Sequence, residues 1–111
     1  MTETVFHEHE AKVRPLAVLD ALELVIDPEL GIDIVNLGMV YEIHVNGGDV
    51  LVNMTLTTPG CPLHGTISAD VEHKVMKLDG AESIEVNLVW DPPWSPYMMS
   101  DEAKRSLGFP V

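Results

Sequence analysis

Apolar residues recur along this chain in two rhythms, one of three to four residues and one of two. In PLAVLDALELVIDPEL, residues 15–30, Leu16, Leu19, Leu22, Val25 and Ile26 fall at mixed three- and four-residue spacings, with Asp20 and Glu23 on the other side. That spacing predicts an amphipathic helix from Pro15. Pro28 disfavours the α region for Asp27, so the helix is expected to stop there, leaving Asp27, Glu29 and Leu30 on a turn ahead of Gly31. Met39, Tyr41, Ile43 and Val45 then alternate with Val40, Glu42, His44 and Asn46, and Val50, Val52, Met54 and Leu56 alternate with Leu51, Asn53, Thr55 and Thr57. Two strands follow, and Asn46-Gly47-Gly48-Asp49 between them accepts positive φ, which predicts an antiparallel hairpin.

After Cys61, Leu63, Ile67, Val71, Val75 and Leu78 recur every three or four residues and Gly80 follows as a stop signal, which predicts a second helix. Ile84, Val86, Leu88 and Trp90 alternate with Glu85, Asn87 and Val89 as a third strand, and a strand-helix-strand crossover is expected to be parallel. DPPWSP, residues 91–96, has three prolines without amide donors, so it is expected to form an irregular strap into a short capped helix at SDEAKRSLG. Trp94, in that strap, is expected from spacing alone to cover an apolar edge of the core. The order is helix-strand-strand-helix-strand-helix, an α/β (α+β) arrangement with a small mixed sheet.

Residues 1–14 are polar and charged without an apolar period and are expected to be a mobile tail, with one domain over 15–111. His7 and His9 in that tail are too few for a closed metal site and are read as solvated, and His44 is read as a solvent-facing strand residue. Eighteen acidic against six basic residues give a net charge of −12, which repels phosphate and argues against nucleic-acid or anionic-membrane partners. No apolar run approaches the roughly 20 residues of a membrane span. A single cysteine cannot form an intramolecular disulfide, and a cytoplasmic protein is expected.

That cysteine sits in LTTPGCPLHG, residues 56–65, directly before a proline, the residue preferred at the first helical position. Cys61 is therefore expected to be a helix N-cap, where the helix dipole and unpaired amides favour thiolate over thiol. Thr57 and Thr58 add hydroxyls on the approach, and Gly60 lets a ligand come near the backbone. Free cysteine is often simply a small buried hydrophobe, but this context favours a reactive or metal-binding sulfur. His64, three residues on, has three readings: a second ligand, a cation tuning the thiolate, or a surface residue.

DPELGIDIVNLGMVYEI, LTTPGCPLHG and DPPWSPYMMSDEAKRSLG together resemble the small iron-sulfur cluster assembly factors of the SufT/PaaD-like family, over about residues 16–109. The stand-alone SufT type is the closer match, because PaaD-type members look like this domain followed by a further cysteine-bearing extension. The resemblance implies an iron-sulfur-cluster-assembly-domain fold in which the Asp-Pro-Glu turn and the Thr-Thr-Pro-x-Cys loop converge on one pocket. The implied site comprises Asp27, Glu29 and Leu30 from the turn, Thr57, Thr58 and Cys61 from the loop, and Trp94 from the strap. It also implies a maturation factor rather than an enzyme. Such a factor handles an iron-sulfur cluster transiently, with client iron-sulfur apoproteins and the cluster-assembly machinery as partners. A cluster normally takes four protein thiolates and one chain offers one, so a labile cluster or metal is expected either at a site shared by a homodimer that pools two Cys61 side chains or at the interface with a recipient protein. Two alternatives remain at this point, a metal-free adaptor for client proteins and a thiol-dependent redox protein.

Overall fold

A computed structural model describes residues 4–56 and 64–109. Its elements, in chain order, are β1 (Val5–His9), α1 (Pro15–Leu22), β2 (Val40–Asn46), β3 (Asp49–Met54), α2 (His64–Met76), β4 (Ser83–Leu88) and α3 (Asp101–Leu107), with a single 3₁₀ turn at Pro96–Met98. The strands form one sheet in the order β1-β2-β3-β4. The central pair is antiparallel and each outer pair is parallel, so the sheet is mixed. Asn46 pairs with Asp49 across a two-residue Gly47-Gly48 loop, and Gly47 takes the positive φ of 60° that such a tight turn asks for. No helix among the described residues is long and apolar enough to cross a membrane.

Helices α1 and α2 pack on each other and against one face of the sheet. Ile43, Val45, Val50, Val52 and Met54 point from the two central strands into this layer, where they meet Val18 and Leu22 of α1 and Ile67, Val71 and Val75 of α2, all at most 2% exposed. Each such side chain contributes roughly 1.5–3 kcal/mol by leaving water. The alternate residues Glu42, His44, Leu51, Asn53, Glu85 and Asn87 lie on the opposite face, which is mostly polar and, among the described residues, carries no helix.

Two expectations differ from the structure. Residues 5–9 are not irregular tail but a fourth strand, paired in parallel with β2 from Val5↔Glu42 to His9↔Asn46. All five residues are exposed, so the strand rests on backbone pairing at the sheet edge and leaves no apolar alternation to read. The first helix also ends at Leu22, five residues before Asp27. Leu24 and Val25 donate to Ala21 and Leu22 in tightening three-residue turns, and the chain then folds back on itself. Ile34 N–H bonds to Val25 O and Asp27 N–H to Ile32 O, so residues 25–34 form a small antiparallel lobe instead of a final helical turn.

Beyond β4 the chain is irregular but firmly docked onto residues 36–41. Tyr41 hydroxyl donates to Pro92 O at 2.8 Å, Trp94 Nε1 donates to Leu37 O at 2.6 Å, and Ser100 donates from N to Asn36 O and from Oγ to Asn36 Oδ1, both at 2.8 Å. Ser100 is also the N-cap of α3, accepting from Ala103 N–H, and Gly108 closes that helix in the left-handed region with φ 81°. Gly38 permits the docking. Its φ is 76°, and a Cβ there would lie 2.3 Å from Met98 O. Gly38→Ala is therefore expected to lower unfolding free energy by at least the roughly 1–3 kcal/mol of a strained left-handed residue, measured by urea denaturation, whereas Ala at the open, exposed Gly65 should change it little.

Candidate functional site

Asp27 opens the turn that sequence analysis places at the site. The residue is 4% exposed, and its side chain bends back into its own turn, where Oδ1 accepts the Glu29 and Leu30 amides at 2.8 and 3.2 Å. Gly31 N–H closes the same turn onto Asp27 O at 2.7 Å with φ 70°. Asp27 and Pro28 thus act like the N-cap and first residue of a helix that lasts one turn. The consequence for chemistry is a division of labour between the two acids. Asp27 shapes the turn from inside, Glu29 is exposed, and Leu30 is half-buried against the core.

The turn sits beside the start of α2, the helix that follows the Cys61 loop in sequence. Ile26 and Pro28 on one side and Thr66, Ile67, Ala69, Asp70 and His73 on the other enclose an open groove of about 470 Å³. Thr66, Asp70 and His73 recur at helical spacing along the wall that α2 contributes. Asp70 is tied to Lys74 by a 2.7 Å ion pair one turn on. The described part of the structure therefore sets Ile26 and Pro28 across a groove from the Thr66–His73 stretch of α2, the helix that follows the cysteine loop in sequence.

The loop's other end leaves the sheet under the strap. Thr55, fully buried just after β3, donates its N–H to Met39 O, and Val89 N–H bonds to Met54 O. Tyr41 lies at the same place, 9% exposed, with its hydroxyl donating to Pro92 O and lying 3.5 Å from Met98 Sδ. Burial raises the Tyr41 hydroxyl pKa above its ordinary value, with the Thr55 hydroxyl acting in the opposite direction. Trp94 is half-buried against the core and hydrogen-bonded to Leu37 O, which matches its reading as cover for an apolar edge.

Thr57, Thr58, Gly60 and Cys61 lie outside the described residues, as does the side chain of His64. The expected N-cap at Cys61 falls there too. Sequence analysis missed Asp33 and Asn36, and with them the contact that Ser100, the expected cap of the last helix, makes to Asn36. Asp33 accepts from Asn36 N and Nδ2 at 3.0 and 2.7 Å, and Asn36 in turn holds Ser100. Their only advance signal was the Asp-x-x-Asn spacing of a side-chain-capped turn.

With this geometry in place, comparison with known proteins settles the lineage. The family model described as "Iron-sulfur cluster assembly protein" matches residues 16–88. The chain belongs to this family.

Among curated members, the chain is 50% identical over 86 residues to the Fe-S protein maturation auxiliary factor SufT of Staphylococcus aureus (strain USA300), covering 77% of this chain and 98% of that protein. It is 46% identical over 92 residues to the Fe-S protein maturation auxiliary factor YitW of Bacillus subtilis (strain 168), covering 82% and 90%. Among solved structures, a domain of unknown function from Bacillus anthracis superposes with a TM-score of 0.82 at 44% identity, covering 86% of this chain and 92% of that one. The SufT-like family assignment and the small mixed-sheet α/β fold both agree with the sequence-based expectation. The family match begins at residue 16, after β1, and ends at residue 88, before the strap.

Two outcomes test the turn and the strap junction. Asp27→Ala is expected to cost about 1 kcal/mol and Asp27→Asn less, because asparagine retains an oxygen for the two amides; thermal or urea unfolding of the pair checks this. Tyr41 binds its proton more tightly folded than unfolded, so its contribution to stability is intact below about pH 10 and is lost as pH rises through the folded value. Wild type should therefore lose more stability than Tyr41→Phe when urea unfolding is compared below and above that pH.

Proposed function

We propose that this chain matures iron-sulfur proteins by holding a cluster or its metal transiently at Cys61 and passing it to client apoproteins, in contact with the cluster-assembly machinery. The family match over residues 16–88 carries this reading, and the SufT and YitW relatives, named as Fe-S protein maturation auxiliary factors, support it. The placement of the Asp-Pro-Glu turn beside the start of α2 is consistent with a pocket shared by turn and loop. In that pocket Thr57, Thr58 and Gly60 shape the approach to the thiolate. Glu29 is the exposed acid available to a metal or a client, Asp27 and Leu30 hold the turn, Trp94 braces the strap, and His64 follows the cysteine by three residues.

The cluster is cargo in this scheme, not a resident cofactor. One thiolate per chain falls short of the four that hold a cluster stably, so we assign the loaded form to a homodimer that pools two Cys61 side chains with other donors. An incomplete protein shell is also what makes a cluster easy to hand on. The setting we assign is the cytoplasm, where a lone thiol stays reduced.

Anaerobic reconstitution with ferrous iron and sulfide tests the reading, followed by absorption spectra, metal counting and size-exclusion chromatography of wild type beside Cys61→Ser. Wild type is expected to take up iron and sulfide as a dimer and Cys61→Ser to take up neither. A wild-type protein that stays metal-free and monomeric yet still binds client apoproteins would replace the carrier with the metal-free adaptor.

A further inference from the structure

The polar face of the sheet carries a cluster that the iron-sulfur chemistry does not use. Parallel pairing of β1 with β2 sets His7 directly opposite His44, and Glu42, two residues before His44, points to the same side. The two imidazoles stack with centroids 4.3 Å apart and planes 9° from parallel. Both turn Nε2 toward one carboxylate oxygen, Glu42 Oε2, at 3.0 Å from His7 and 3.2 Å from His44. Asn53 Nδ2, on β3, approaches the other oxygen, Oε1, at 3.4 Å.

We propose that His7, Glu42 and His44 form a binding site for one divalent first-row transition-metal ion, separate from the Cys61 loop. The donor set is the first argument. Two imidazoles and a carboxylate are the ligands of many zinc sites and of non-haem ferrous sites, and three donor atoms within 4.8 Å of one another form such a group here. Spacing is the second. Bonds of about 2.0–2.1 Å in a tetrahedral shell put ligand atoms about 3.3 Å apart, close to the two nitrogen–oxygen separations in the structure. Access is the third, because the side chains of His7, Glu42 and His44 are 51%, 38% and 35% exposed. An ion can enter without moving the core, and the rings need only rotate out of their stack to aim both lone pairs at it.

Asn53 supplies the outer hydrogen bond that commonly orients a ligating carboxylate. Three protein ligands leave a coordination position for water or an incoming group, so the site is built for exchange more than for permanent structure. Occupation would also clamp the exposed edge strand β1 onto β2, since His7 is the one ligand that β1 provides.

Titration calorimetry with Zn²⁺, and with Fe²⁺ under anaerobic conditions, tests this on the full chain in a Cys61→Ser background, which removes the thiolate as a competing ligand. One ion per chain is expected. His7→Ala and His44→Ala should each weaken binding by more than the roughly 10–100-fold typical of losing an outer partner, and Glu42→Gln should weaken it too. Zn²⁺ should also slow amide hydrogen exchange across Val5–His9 in the Cys61→Ser protein but not in its His7→Ala derivative. His9→Ala serves as the discriminating variant. If it abolishes binding as fully as His7→Ala while His44→Ala does not, the metal is held by the His-x-His segment alone and the three-residue site is overturned. Undetectable binding, or binding unaffected by His7→Ala, also overturns it.

Discussion

The segment from Asp33 to Tyr41 is the constraint on which the rest of this structure depends. It is barely regular, yet it satisfies the polar groups of the equally irregular strap that follows β4. Asn36 takes two hydrogen bonds from Ser100, Leu37 O takes the Trp94 indole, Tyr41 reaches Pro92 O, and Gly38 lets Met98 come close. Three prolines in DPPWSP remove amide donors, so a sheet or helix could not have organised this stretch. Tertiary hydrogen bonds do so instead, and among the described residues no buried side-chain nitrogen or oxygen is left without a partner.

The same junction sets the frame around the cysteine loop. The chain leaves the sheet after Met54, near Tyr41 and the strap, and the described structure resumes at His64 with α2, whose Thr66–His73 stretch faces the Asp27 turn. Each end is tied to a different irregular element, and each of those elements is capped by its own side chain: Asp27 in the first turn, Asp33 and Asn36 in the second, Ser100 at α3. Short polar caps of this kind hold backbone in place without a large core, which suits a domain whose helices cover only one face of the sheet.

That uncovered face gives the fold room for a second chemistry. An edge strand needs only backbone partners, so its side chains are free of packing demands, and β1 uses that freedom to place His7 against His44 and Glu42. The strand, and with it His7, precedes residues 16–88 matched by the family, whereas Glu42 and His44 lie within them.

By itself the sequence determined the elements that bury an apolar face, because burial writes a period into the residues. The hairpin at Gly47-Gly48, the crossover helix after Cys61, the parallel third strand and the capped last helix all follow from that period and from turn chemistry. The family was legible too, in three separated motifs. What only the tertiary structure decided was everything held by polar contacts between distant segments. Val5–His9 joins the sheet with both faces exposed, α1 stops early because Val25 and Asp27 find backbone partners in residues 32–34, and Asp27 turns inward to its own amides while Glu29 stays in water. Hydrogen-bond pairing across long separations imposes no periodicity on either partner, so such contacts are written in the fold and not along the chain.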